Sequence, residues 1–165
     1  MPKKLVIITG PAGVGKSTMV RELLRMIDGC AWLDADWCWM LNPWHSPSAE
    51  QREDMLSAYG HILTTYFCDA HTHTVLFSWV MRDPMLFRTV RDIVQCEDIH
   101  VMPIVLVCDP KEHQRRLVLD RRSEASVNRH EDMAVFLQLG AWTLDTTNLS
   151  PAQTARQVFD YIQSV

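Results

Sequence analysis

Nine consecutive residues carry the strongest chemical signal in the chain: Gly10-Pro11-Ala12-Gly13-Val14-Gly15-Lys16-Ser17-Thr18. They match G-x-x-x-x-G-K-[ST] in full. The context is the confirming one, because the β-branched run Lys4–Thr9 precedes them and apolar residues at helix spacing (Met19, Val20, Leu23, Leu24, Ile27) follow. The glycines let backbone N–H groups turn inward around an anion, and the positive end of the helix beginning near Lys16 adds to the attraction. Such a loop holds a nucleoside triphosphate: Lys16 reaches its β- and γ-phosphates and the Ser17 hydroxyl ligates Mg²⁺.

A second signal follows the next strand, in Trp32-Leu33-Asp34-Ala35-Asp36-Trp37. Two carboxylates one residue apart, at a strand end facing the triphosphate, suit two tasks. One is holding Mg²⁺ or taking a proton from an attacking hydroxyl, and the other is hydrogen-bonding the acceptor. Spacing alone does not say which residue does which, and a helix cap beside a solvated acid would read the same way.

The third signal is basic. From Lys111 to Arg129 there are six cations (Lys111, Arg115, Arg116, Arg121, Arg122, Arg129) against three acids (Glu112, Asp120, Glu124), so the segment is net +3 in a chain that is net −4. Arginine suits planar recognition of phosphate and stacking on a base. The polar stretch 123–128 is what a covering flap would contain. The competing reading is a solvated helix face with i,i+4 pairs such as Glu112–Arg116, worth only about 0.3–0.5 kcal/mol each.

Two further places lie at strand ends. Ser78-Trp79-Val80-Met81-Arg82-Asp83 ends the third strand, where Arg82 is either an anion binder for the acceptor or a surface residue near a helix start. Trp32, Trp37, Trp39, Trp44 and Trp79, with Met40 and Met81, concentrate near these ends. Aromatic faces there suit a nucleobase or another flat, greasy acceptor, or else they pack the following helix against the sheet. Asp145-Thr146-Thr147-Asn148 follows the fifth strand and reads as a helix-entry turn.

The elements that must position these residues alternate through the whole chain. The spacing predicts strands at Lys4–Thr9, Ala31–Asp34, Thr74–Val80, Val101–Cys108 and Trp142–Asp145. Helices are expected over Lys16–Asp28, Ser48–Asp69, from Asp83-Pro84, from Asp109-Pro110 to about Arg122, over Glu131–Leu139, and from Ser150-Pro151 to Ile162. Gly29 stops the first helix, and Pro103 argues that the start of the fourth strand sits at the sheet margin. Strands alternating with helices mean a parallel α/β sheet, whose ligand lies at the carboxyl ends of the strands.

Taken together, the phosphate loop, Asp34-Ala35-Asp36 and the Arg-rich stretch resemble the small P-loop kinases of the nucleotide-, shikimate- and gluconate-kinase group. The pair Cys108-Asp109 with Arg115-Arg116 is also similar to antibiotic-modifying P-loop phosphotransferases. The resemblance implies a three-layer αβα P-loop NTPase fold. Its five-stranded parallel sheet would run in the order 2-3-1-4-5, with a short lid at about residues 121–130. It further implies that Asp34 is the magnesium-side acid or base and that Asp36, with Trp37, Trp79 and Arg82, binds the acceptor. Lid residues Arg121 and Arg122 would neutralise the transferred phosphoryl, ahead of Arg115. Arg116 and the Asp145-Thr146-Thr147 loop would contact the nucleotide, Thr146 and Thr147 beside its adenine ring.

Composition narrows the classes. The 165 residues are 47% hydrophobic and 22% charged, enough to bury one core and too short for a second domain. No apolar run reaches the roughly 18 residues of a membrane helix, and Leu5 to Thr9 is too short for a signal-peptide core. A net charge of −4 argues against nucleic acid as the partner. Five cysteines, odd in number and without a CxxC pair, read as reduced core thiols of a cytoplasmic protein, and His71-x-His73 as ordinary loop residues. There is no N-K-x-D for a GTPase, and Asp109, before Pro110, reads as a helix cap rather than a Walker B acid.

The leading expectation is therefore a Mg-ATP-dependent phosphotransferase with a small-molecule or nucleotide acceptor, using ATP and Mg²⁺. The alternative is an ATP-binding switch that acts on a protein partner and turns over no acceptor.

Overall fold

The computed structural model describes residues 3–94, 96, 98–120 and 133–165. The lid segment expected at about 121–130, with Arg121 and Arg122, lies outside the described residues.

Five parallel strands form one sheet in the order β2-β3-β1-β4-β5: β1 Lys3–Thr9, β2 Cys30–Asp34, β3 Thr74–Ser78, β4 Ile99–Val107 and β5 Trp142–Asp145. This is the expected order. The helices are α1 Lys16–Leu23, α2 Ala49–Cys68, α3 Pro84–Asp92, α4 Pro110–Leu119, α5 Met133–Leu137 and α6 Pro151–Ser164, with a 3₁₀ turn over Ala35–Trp39.

The alternation of β1 builds the layers. Val6 and Ile8 point to one face, where they pack with Val20 of α1 and Val158 of α6. Leu5 and Ile7 point to the other, against Tyr59 and Leu63 of α2 and Val90 of α3. Because the inner strands are covered on both faces they read as continuous apolar runs.

Local chemistry sets the element ends. Ser48 and Ser150 each close a capping box with the glutamine three residues on, Gln51 and Gln153. Asp83 and Asp109 cap α3 and α4 with their carboxylates, each followed by proline in the first turn. The cap is thus the local structural role of Asp109.

Several element ends and the cysteine burial differ from the sequence reading, while the place of Pro103 agrees with it. Helix α1 ends at Leu23, because Arg25 and Met26 bond back to Glu22 and Leu23 and tighten the chain into 3₁₀-type turns before Gly29. Strand β4 is interior, with Pro103 paired in register with Ile7. The β5 ladder begins only at Ile104, so Pro103 lies in the stretch of β4 that has no β5 partner. Of the cysteines only Cys108 is buried. Cys38 and Cys68 are exposed, Cys68 because it falls on the outer face of the last turn of α2.

Candidate functional site

The carboxyl ends of β1, β2 and β4 meet around one cavity of about 450 Å³, a size that suits a small-molecule ligand. Residues 12–18 of the glycine-rich loop and first helical turn form one wall. Asp34 and Asp36 lie at one side, and Glu112, Arg116, Thr146 and Thr154 belong to the other walls.

The loop is held open by its own backbone chemistry. Gly10, Gly13 and Gly15 take φ values of 145°, 82° and 109°, which an L side chain adopts only with strain. At Gly10 a Cβ would also lie 2.3 Å from the Leu106 carbonyl oxygen, so β4 presses directly on the loop. The Lys16 ammonium donates to the Gly10 and Pro11 carbonyls, both at 2.9 Å, and so is aimed back across the loop it follows.

Asp34 is almost fully buried at 5% exposure and both of its oxygens are engaged. Oδ2 accepts from the Ser17 hydroxyl at 2.7 Å and Oδ1 from the Asp36 backbone N–H at 3.1 Å. The second bond makes Asp34 the cap of the 3₁₀ turn, which turns Asp36 outward while keeping it on the cavity wall. Nearby, the Tyr59 hydroxyl donates to the Ala35 carbonyl at 3.0 Å. Its pKa is raised, first by burial and then by the neighbouring Cys38, Asp36 and Asp34.

Arg116 joins three parts of the site. Its guanidinium donates to Glu112 Oε1 (2.8 Å), the Val14 carbonyl (2.8 Å), Thr146 Oγ1 (2.9 Å) and the Thr146 carbonyl (2.7 Å). Glu112 also takes Arg115, and these two arginines hold its carboxyl down at about 2. The Glu112–Arg116 pair foreseen on a helix face is real, yet Arg116 spends its remaining donors on the phosphate loop and the β5–α6 turn. Thr146 Oγ1 in turn donates to the Val107 carbonyl. Thr147 lies behind the cavity wall, its hydroxyl accepting from the Asp109 N–H and donating to Asp145, whose carboxyl those Thr147 bonds hold low.

The expected acceptor residues divide. Asp36 lines the cavity, whereas Trp37, Trp79 and Arg82 do not. Trp79 packs on the rings of Tyr59 and Phe77, with centroids 5.6 and 6.4 Å away. Trp37 stands edge-on to Trp32 at 4.4 Å, and Arg82 is exposed at the start of α3.

Sequence reading missed His113, whose ring Nε2 lies 2.7 Å from the Ala12 carbonyl and ties α4 to the loop. It also missed Thr154 on the cavity wall. The available signal was the spacing of His113 four positions before Leu117 on an otherwise charged helix, which puts the two on one face. Among the described residues no cluster of three or more His, Cys, Asp or Glu could hold a metal. Ser17 and Asp34, a hydroxyl and a carboxylate 2.7 Å apart, are hard-oxygen groups of the kind that would fit Mg²⁺. No helix among the described residues is long and apolar enough to cross a membrane.

A five-stranded 2-3-1-4-5 sheet with a phosphate loop between its central strand and first helix defines a P-loop NTPase fold. A family model described as an AAA domain matches residues 6–136, and the chain belongs to that family. No curated protein sequence matches the chain. Among solved structures it is similar to an APS kinase of Mycobacterium tuberculosis in complex with AMPPNP and APS (TM-score 0.70, 18% identity, 98% of each chain covered). It is also similar to a gluconokinase of Sinorhizobium meliloti (0.66, 14% identity, 99% of this chain and 98% of that one). A third similar structure is a tunicamycin resistance protein of Deinococcus radiodurans (0.64, 19% identity, 97% and 95%). At these identities the likeness is one of fold.

Proposed function

We propose that this protein is a phosphotransferase that moves the γ-phosphoryl of Mg-ATP to a hydroxyl or phosphate of a small acceptor. The observation that carries the reading is the pair of carboxylates in the phosphate-loop cavity: Asp34, bonded to Ser17, and Asp36, held beside it by the Asp34 cap. A nucleotide switch has no use for the second acid. Solved kinases of the same fold add weight to the reading.

In this reading residues 10–18 wrap the phosphates with backbone N–H groups, and Lys16 exchanges its two loop carbonyls for phosphate oxygens. Ser17 and Asp34 would hold Mg²⁺, which would supply charge neutralisation at the phosphates. Asp34 receives the proton of the attacking hydroxyl and Asp36 orients the acceptor; Trp37 is the expected acceptor residue that follows Asp36 in the chain, while Trp79 and Arg82 stand outside the cavity lining. Arg116 and Thr146 fix the nucleotide end, with Thr147 behind them. Arg121 and Arg122 would close over the transfer and exclude water, which otherwise hydrolyses ATP. The catalysis is positioning plus charge neutralisation. The whole chain, 1–165, acts as one domain in the cytoplasm.

The test is ADP release from Mg-ATP with and without pooled nucleosides, nucleoside monophosphates, sugar acids and antibiotics. A pool that raises release well above the water background supports the reading. Tight ATP binding with no responsive pool favours the partner-binding switch, for which exposed Trp44 and Met40 would be the docking surface. Lys16→Ala should abolish turnover while the far-UV spectrum stays that of the parent.

A further inference from the structure

The nine large hydrophobic residues that stand exposed among the described residues are not scattered. Four of them, Trp37, Met40, Leu41 and Trp44, fall within eight positions, and the run begins one residue after Asp36 of the cavity wall. Met40 is 79%, Trp44 69% and Trp37 49% exposed. Side chains of this size and number in one short segment are the mark of a binding surface.

Its tryptophans are sorted by their partners. Trp32 gives its indole N–H to Ser78 Oγ at 2.9 Å and Trp39 gives its own to the His45 carbonyl at 2.7 Å. The second bond, with the Trp39–His45 ring contact at 5.6 Å, folds the 40–47 loop back onto the 3₁₀ turn that carries Asp36. Trp32 and Trp39 therefore build the surface. Trp37 meets Trp32 edge-on and is otherwise exposed, and Trp44 has neither a ring partner nor a hydrogen bond among the described residues.

The same segment is devoid of charge. Between Asp36 and Glu50 there is no Asp, Glu, Lys or Arg. A surface for a phosphorylated or carboxylated acceptor would need cations there, because an anion leaving water must be paired. Arg82, the cation that follows β3, does not line the cavity.

We infer that the acceptor is an uncharged, hydroxyl-bearing molecule with a flat, apolar body, which lies on Trp37 and Trp44 and turns its hydroxyl to Asp36 and Asp34. The inference rests on the phosphotransferase reading and names its substrate class. The exposed run starts at the residue after Asp36 of the cavity wall, and this adjacency favours a small acceptor over a protein, which would need no carboxylate at its edge. In the transfer the acceptor oxygen forms the new P–O bond, the bond to the ADP oxygen breaks, and the hydroxyl proton passes to Asp34.

The experiment compares two acceptor pools in Mg-ATP turnover by the full chain. One holds uncharged aromatic alcohols, phenicols and nucleosides, and the other gluconate, shikimate and nucleoside monophosphates. Turnover confined to the uncharged pool is expected. Trp37→Ala and Trp44→Ala should each raise the acceptor KM by about tenfold while the KM for ATP is unmoved. Trp44 has no ring partner to lose among the described residues, so its variant reports on the acceptor even where Trp37→Ala perturbs the 3₁₀ turn. Turnover of the anionic pool alone overturns the inference and leaves the phosphotransferase reading standing. So does turnover of the uncharged pool that both variants leave unchanged. Silence of both pools with ATP still bound overturns the two together, and a protein captured by the patch would then be sought.

Discussion

The Ser17 hydroxyl and Asp34 Oδ2, seventeen residues apart, lie 2.7 Å from each other and join the first turn of α1 to the end of β2. With Oδ1 accepting from the Asp36 N–H, the Asp34 carboxylate is fixed at both oxygens. A group so held costs nothing to orient when it acts, which is what preorganised catalysis requires.

Asparagine at position 34 would keep the cap acceptor and replace the oxygen facing Ser17 with an amide that can donate to it. Asp34→Asn should therefore fold normally and lose kcat by about 10²–10⁴ if the carboxylate is the general base. Steady-state rates with the responsive acceptor, set beside a thermal unfolding curve, check this. Near-normal turnover would remove Asp34 from that role.

Arg116 carries a different expectation, because four acceptors on three segments share its guanidinium. Lysine has the charge but not the planar fork, and cannot reach the Val14 and Thr146 carbonyls together. Arg116→Lys should raise the KM for ATP by roughly tenfold, with a loss of stability of about 1–3 kcal/mol from carbonyls left unpaired. Denaturant unfolding and ATP titration measure the two effects separately. A variant with unchanged ATP affinity would make the residue a purely structural clasp.

What was legible in the chain follows from the range of each interaction. The phosphate loop, the caps at Asp83, Asp109 and Ser150, and the Glu112–Arg116 pair all involve residues within a few positions of each other, and local spacing reveals them. The family resemblance supplied the strand order. What could not be read is long-range: the bond from Arg116 to Val14 spans 102 positions and that from His113 to Ala12 spans 101. Periodicity marked the apolar residues of Lys16–Asp28 but not the tightening after Leu23. Nor could it separate Trp79, packed edge-on against the core, from exposed Trp44.

The Glu112 carboxyl gives a pH dependence of definite sign. Arg115 and Arg116 hold it at about 2 in the fold against an ordinary 4.5. A depressed carboxylate contributes stability that is fully present above its unfolded pKa and is lost as pH falls toward its folded one. The stability gap between the parent and Glu112→Gln should thus be widest near neutrality, begin to close below about pH 4.5 and vanish near pH 2. Melting temperatures of both proteins from pH 7 to pH 2.5 test it. A gap that stays constant over that range would mean that the two arginines do not depend on this charge.

Gly10 offers the sharpest test of the loop itself. Its φ of 145° is a conformation that L side chains avoid, and a Cβ would stand 2.3 Å from the backbone oxygen of Leu106. The obstacle is main chain of an interior strand, which cannot swing aside as a side-chain tip would. Two costs therefore add at one methyl group, about 1–3 kcal/mol of backbone strain and the displacement of β4 or the loop. Gly10→Ala should lower stability by more than about 3 kcal/mol, or yield insoluble protein. Gly140 supplies the control, since it also has positive φ (67°) but a Cβ there would meet no described atom within 4 Å. Gly140→Ala should cost only the strain, about 1 kcal/mol. Chemical denaturation of the pair measures the difference, and equal losses at the two sites would show that β4 yields to the loop.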